Sequence, residues 1–274
     1  MERLKELFAF LSLDLRKIEK LRIILGYYVF SRFGKINILG MKIRFNKGLR
    51  NHSLLIAKEV FLIQNYALTN TTNAKLKSTG GVIVDIGANI GISTAYFKWL
   101  YPTSRLVAIE ASPINYLILL ENINTNGFEV QTINSFVSNS RGSINFHHNL
   151  QKPGASFGEG FKSNPLNKSE KFNVQMMKLS DLISGWKSIV VKIDVEGAEF
   201  EILKDLASSK NISEVMEIIA EVSTSNQKQL NELNSVINSF YNLGFEPRII
   251  SDYSNKMLKT KSNQGHIKLI LLRN

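Results

Sequence analysis

From Gly80 to the end of the chain, short apolar runs alternate with longer amphipathic stretches. Val82–Ile86 is the first run, and its nearly unbroken hydrophobicity predicts a strand buried on both faces. Ile92–Leu100 follows with helical spacing and is closed by Pro102. Arg105–Glu110 predicts a second strand. Pro113–Asn126 predicts a helix with Ser112 as N-cap, proline in the first turn and Gly127 past its end. Val130–Val137 holds a third strand, and Ser143–His148 and Asn173–Leu179 read as strands around a polar, glycine-rich loop, Asn149–Lys171. Ile189–Asp194 is a fourth strand, Ala198–Ser208 a helix, Val215–Val222 a fifth strand and Gln227–Leu243 a helix. Phe245–Ile250 and His266–Leu272 complete the sheet as an antiparallel terminal pair. Alternating strands and helices require an α/β fold: a mostly parallel sheet with helices on both faces.

The pattern before Gly80 is different. Met1–Phe33 reads as one or two helices, Ile36–Leu39 and Met41–Phe45 as a hairpin about Gly40, and Ser53–Leu68 as a helix. The Thr/Asn/Lys stretch Thr69–Thr79 reads as a linker. The expected division is therefore a helical and hairpin extension over 1–75 and an α/β domain over 76–274. Charge sharpens this division. Of the net +11, residues 1–50 carry +8, from twelve Lys/Arg against four acids. These charges interleave with Leu4, Leu7, Phe8, Ile18, Leu21, Tyr27 and Phe30, as in a basic amphipathic segment lying on an anionic membrane surface. No RNA-binding motif, helix-turn-helix or zinc pattern is present, so no nucleic-acid partner is expected. The absence of cysteine excludes disulfides, thiolate metal sites and cysteine nucleophiles. Met1–Phe10 is charged, and the apolar run Ile23–Ser31 is short of the ~20 residues a spanning helix needs. A cytoplasmic protein, peripheral to the inner face of a membrane, is the expectation.

Three stretches carry chemistry. In Val82–Gly91 the first strand ends in Asp85, and Gly87 and Gly91 let the backbone approach a ligand. Glu110 ends the second strand 25 residues later, where an acid accepts hydrogen bonds from both hydroxyls of a ribose. Nicotinamide and S-adenosylmethionine enzymes both use this arrangement. The turn here is Gly87-Ala-Asn-Ile-Gly91 rather than G-x-G-x-x-G, and Asp85 before it would repel a diphosphate. It suits the cationic end of S-adenosylmethionine. The third stretch, Val191–Glu199, places Lys192, Asp194 and Glu196 at a strand end, the first two on one face.

Together these runs resemble the FkbM-type methyltransferases: Val84-Asp-Ile-Gly-Ala-Asn-Ile-Gly91, Ile109-Glu-Ala-Ser-Pro113 and Lys192-Ile-Asp-Val-Glu-Gly-Ala-Glu199. Smaller marks agree: Glu59-Val-Phe and Tyr66 before the core, Gly154-Ala-Ser156, Leu179-Ser-Asp-Leu182 and Glu221-Val222. The resemblance covers residues 55–250 and departs at Ala111, where the family has Glu-Pro directly. It implies the class I Rossmann-like, seven-strand methyltransferase sheet with S-adenosylmethionine as cofactor. It also implies that Asp85, Gly87, Asn89 and Gly91 cradle the methionine part and that Glu110 binds the ribose. Ser135 to Ser138 border the adenine, and Asp194 and Glu196 face the reacting centre. The family methylates hydroxyls, often on sugars of glycans, glycolipids and natural products.

A sugar hydroxyl needs a general base, for which Asp194 comes first, Glu196 second, and one of His147 and His148 is an alternative. Lys192 either orients the carboxylates or forms a structural salt bridge. Asp194 and Glu221 could share a hard cation, although no metal is assigned. The loop Asn149–Lys171 reads as a lid, with Phe157 and Phe161 stacking on a sugar face or simply packing. The leading expectation is an O-methyltransferase acting on a glycan or glycolipid sugar. The alternatives are a small-metabolite, amine or carboxylate acceptor, a non-catalytic protein retaining the fold, and, least favoured, a nicotinamide oxidoreductase.

Overall fold

A computed structural model of the protein describes residues 35–45, 50–150, 156–160, 169–224, 226–250 and 266–273. The expectations for Met1–Phe33, and the place of Phe161, lie outside these residues. A hairpin, β1 (Lys35–Ile38) and β2 (Met41–Arg44), comes first. Helix α1 (Arg50–Ala57) then widens into a π-helical turn, Lys58–Leu62, and α2 (Asn70–Thr79) follows. The alternating part consists of β3 (Val82–Ile86), α3 (Ile92–Leu100), β4 (Arg105–Glu110), α4 (Pro113–Thr125) and β5 (Gln131–Asn134). Next come β6 (Phe136–Ser138), β7 (Gly142–Asn149), β8 (Phe157–Gly158), β9 (Ser169–Lys178) and the short α5 (Leu179–Leu182). The chain continues through β10 (Ile189–Ile193), α6 (Glu199–Ala207), β11 (Val215–Ser223), α7 (Gln227–Asn242), β12 (Phe245–Ile250) and β13 (His266–Arg273).

The main sheet has seven strands in the order β12-β13-β11-β10-β3-β4-β5, and only β13 runs against its neighbours. This is the mostly parallel seven-strand sheet that the resemblance implied. β3 and β10 are buried along their whole length, as central parallel strands are when helices cover both faces. Successive side chains alternate between two cores. Val84, Ile86, Val191 and Ile193 pack with Phe200 and Leu203 of α6 and Phe240 of α7. Ile83 and Val190 turn the other way, onto Tyr96 and Phe97 of α3 and onto Ile43, Val60 and Phe61 from the segment before the sheet.

Two expectations change. The expected linker Thr69–Thr79 is instead helix α2 with Thr69 as its N-cap, because Thr72 and Leu76 are buried and the Thr69 backbone N–H and hydroxyl both donate to the Glu217 carboxylate. The expected division between residues 75 and 76 thus falls inside α2. Val130–Val137 is two strands. β5 pairs with β4 as far as Asn134, and β6 then pairs with β9 in a second sheet, of order β6-β9-β7-β8. Ser135 marks the crossing: its N–H donates to Glu110 O in the main sheet and its hydroxyl to Gln175 O in the second.

Helix α4 begins as its sequence dictates, with Ser112 Oγ accepting from Asn115 N–H and Pro113 in the first turn. Its far end receives the hairpin. Asn122 and Asn126, one turn apart, each offer a side-chain amide to β2. Asn122 Oδ1 accepts from Arg44 N and its Nδ2 donates to Arg44 O; Asn126 does the same with Lys42.

Candidate active site

The site begins where β3, β4 and β10 end side by side. Gly87 leaves β3 with φ +73°, and a Cβ there would lie 1.9 Å from Asp194 O. That contact fixes glycine at 87 on steric grounds and brings the ends of β3 and β10 together, with Asp194 N–H donating to Ile86 O at 3.1 Å. Asn89 follows in the left-handed region at φ +53° and donates its N–H to Glu110 Oε2 at 2.8 Å. The other Glu110 oxygen accepts from Ser112 N–H at 2.9 Å. Burial pushes the Glu110 carboxyl up, and these two amide donors oppose the shift.

Behind the turn lies a buried ion network. The sheet register sets Lys192 directly beside Asp85, on the α3 face. Lys192 is 1% exposed and Asp85 0% exposed, so neither charge is tolerable alone. Lys192 Nζ stands 3.0 Å from Asp85 Oδ1 and 3.6 Å from Asp194 Oδ2, and donates to Gly87 O at 2.9 Å. The second Asp85 oxygen accepts from Ser93 and Thr94 hydroxyls, both at 2.7 Å. Burial alone would lower the Lys192 ammonium, but Asp85 and Asp194 outweigh it and hold it above its ordinary value. Tyr66, carried in from before the sheet, donates its hydroxyl to Asp194 Oδ2 at 2.6 Å and sets its ring 5.2 Å from Lys192 Nζ. Burial and the Asp194 charge keep that phenol neutral, far above its usual range.

These elements enclose a cavity of about 220 Å³. One end is an apolar slot walled by Phe136, Val137 and Phe146. Glu110, Gly87, Asn89 and Ser135 border the middle. The other end is acidic, lined by Glu59, Asp194, Glu196 and Glu221. Glu59 stands on the π-helical turn, a feature that often marks functional positions. Burial and Asp194 push Glu59 up to about 7; burial, Asp194 and Glu59 push Glu221 up to about 8. Just behind, burial pushes Glu199 up to about 8 although its Oε1 accepts from Gly197 N–H.

Of the residues singled out in the sequence, Gly87, Asn89, Glu110, Ser135, Lys192, Asp194 and Glu196 line this cavity. Asp85, Gly91 and Ser138 do not. The Asp85 carboxylate is consumed by Lys192, Ser93 and Thr94, so it supports the turn from behind. Gly91, at φ +89°, is required by packing, since a Cβ would meet Leu119 Cδ1 at 2.7 Å. Ser138 ends β6 with its hydroxyl accepting from Ser140 N–H. Neither histidine reaches the cavity. His147 stacks on Phe157, and His148 is buried with Nδ1 2.7 Å from Ser112 Oγ. Of the expected lid, Phe157 of β8 and Ser156 just before it stand in the wall. Among the described residues no group of three or more His, Asp or Glu side chains is placed to hold a metal ion. Sequence reasoning gave Glu59 and Tyr66 no role, since their only signal was the small Glu59-Val-Phe and Tyr66 marks.

The family model described as the methyltransferase FkbM domain matches residues 85–247, more than half of the chain. The chain belongs to the FkbM methyltransferase family. It is similar to methyltransferase sdnD of Sordaria araneosa, at 28% identity over 54% of this chain and 67% of that protein. It is also similar to methyltransferase 1 of Beauveria bassiana (strain ARSEF 2860), at 24% identity over 55% of this chain and 66% of that protein. The chain thus spans about two thirds of the length of these relatives. Among solved structures it is similar to a Pyrococcus abyssi tRNA (uracil-54, C5)-methyltransferase, with TM-score 0.44 and 8% identity over 87% of this chain and 44% of that one. As an FkbM methyltransferase it uses S-adenosylmethionine.

The cavity fits that cofactor. It crosses the ends of β5, β4, β3, β10 and β11, a span of about 19 Å at the usual strand spacing. Along it lie an apolar slot for an uncharged base, a carboxylate for a ribose diol, and an acidic end for a sulfonium.

Proposed function

We propose that this FkbM methyltransferase transfers the methyl group to a hydroxyl of a sugar, in a glycan or glycolipid. One observation carries the reading: carboxyls and aromatic rings share one cavity, with Glu59, Asp194, Glu196 and Glu221 at one end and Phe157 in the wall. A sugar presents an apolar C–H face, which a ring covers, and a rim of hydroxyls, which carboxylates accept. S-adenosylmethionine supplies a methyl group already activated on a cationic sulfur. Glu110 holds the ribose hydroxyls, Gly87 and Asn89 line the path of the methionine part, and Ser135, Phe136 and Val137 border the base. The acceptor hydroxyl passes its proton to a carboxylate at the acidic end, where Asp194 and Glu196 stand. Such a base contributes about 10²–10⁴-fold. Lys192 and Tyr66 hold Asp194 in place through its Oδ2.

The test is transfer of labelled methyl from S-adenosylmethionine to a panel of glycosides, amines and carboxylic acids. The expected product is label in a glycoside that survives mild alkali, as a methyl ether does. Label released by alkali would identify an ester, and label on an amine would identify nitrogen; either would replace the hydroxyl reading.

A further inference from the structure

The acidic end holds more carboxyls than a proton transfer requires. Glu59, Asp194, Glu196 and Glu221 come from three separate segments to the same end of one cavity. Among the described residues the one cation lining it, Lys192, is committed to Asp85 and Asp194. The remaining charged and titratable groups that face Glu59 and Glu221 among the described residues are Lys58 on the π-helical turn, Tyr66 before the sheet and Lys268 on β13. Tyr66 stays neutral and donates its hydroxyl hydrogen bond to Asp194. Among the described residues no side chain donates a hydrogen bond to Glu59 or Glu221, so burial first and crowding second, rather than pairing, govern both.

Position matters as much as charge. Glu110 ends β4 and Glu221 stands on β11, with β3 and β10 between them, about 14 Å away across the strand ends. A molecule with its base in the slot beside β6 and its ribose at Glu110 extends its remaining atoms toward β10 and β11. The sulfur lies in that part. It is a cation in S-adenosylmethionine and uncharged in S-adenosylhomocysteine.

We propose that Glu59 and Glu221 are the residues by which the cavity distinguishes the methyl donor, whose sulfur is cationic, from its product, whose sulfur is uncharged, meeting the donor as carboxylates and the product as carboxylic acids. The inference rests on S-adenosylmethionine as donor and is independent of the sugar acceptor. A nearby sulfonium favours the ionised carboxyl and lowers its pKa in the complex. Donor binding then expels protons near neutral pH. Donor affinity climbs as pH rises through the values of the free protein, about 7 and about 8, and levels off above them. Product binding expels none. After transfer the two carboxyls recover protons, which loosens the site around the donor's charge but not around the product.

Calorimetric titration with each ligand, from about pH 6 to about pH 8.5 in buffers of differing ionisation heat, tests this on the full chain. The expected result is a rise in donor affinity of at least about tenfold with proton release, and a flat profile for S-adenosylhomocysteine. The amino-acid portion is common to both ligands, so the difference isolates the sulfur. In E59Q/E221Q the donor profile should flatten, while S-adenosylhomocysteine binding, retained within about threefold, reports an intact fold. Equal pH dependence for both ligands, or an unchanged donor profile in the double variant, would overturn the proposal. Binding of neither ligand to the wild-type chain would overturn it by removing the donor, a failure distinct from that of the acceptor reading.

Discussion

The two ends of the cavity are assembled on different plans. At the β3–β4 end, Gly87, Asn89 and Glu110 all follow directly from strand ends within residues 85–247, and each polar group has a fixed partner. At the β10–β11 end, Glu59 and Tyr66 arrive from outside the matched segment, and Glu59 and Glu221 are crowded rather than paired. The first plan suits a constant ligand held in one pose. The second leaves carboxyls whose charge responds to what enters. An end that binds the same cofactor in every turnover gains from rigidity, whereas an end that meets a cation, a hydroxyl and a leaving product gains from adjustable charge.

The sharpest way to break the rigid plan is Lys192→Met. It strands Asp85 without a cation in the sheet interior and should cost about 3–5 kcal/mol in urea unfolding. Glu199→Gln probes the frontier between the two plans. The folded value of Glu199, about 8, lies above its ordinary 4.5, so its contribution is full below pH 4.5 and falls away as pH rises toward 8. Urea titrations at the two ends of that window should show the variant equal to or less stable than wild type at the acid end. At the alkaline end it should be more stable by roughly a few kcal/mol. The smallest effect is expected at the adjustable end: Tyr66→Phe removes one hydrogen bond to a half-buried carboxylate, about 1 kcal/mol of stability. Its affinity for S-adenosylhomocysteine should stay within about twofold, since Tyr66 holds Asp194 rather than a cofactor group. A large loss of product affinity would instead place Tyr66 with the rigid plan.

Legibility in the sequence followed the same line. The β3 turn, Glu110 at the end of β4 and the Lys192–Glu196 run were readable because a strand, its turn and its charged end are neighbours in the chain. That Asp85 faces away from the cavity was not, because it depends on the lateral register that sets Lys192 beside it. Thr69–Thr79 concealed a helix because its stabilising partner, Glu217, is far away on β11. The second sheet was hidden for a similar reason: nothing near Ser135 states that Phe136 will pair with Met176. Glu59 and Tyr66 gain their roles only when α1 and the π-helical turn pack onto α3, a contact between remote segments.

Asn122 and Asn126 have a consequence for association rather than catalysis. A two-stranded hairpin exposes a row of unpaired amides and carbonyls, which invites another chain to add a strand. Here α4 presents two side-chain amides at the spacing of alternate strand residues, to Lys42 and Arg44, and so imitates the edge of a neighbouring strand. The helix serves as a false strand. It closes that edge of the hairpin from within the same chain, so that edge is not free to recruit a second molecule.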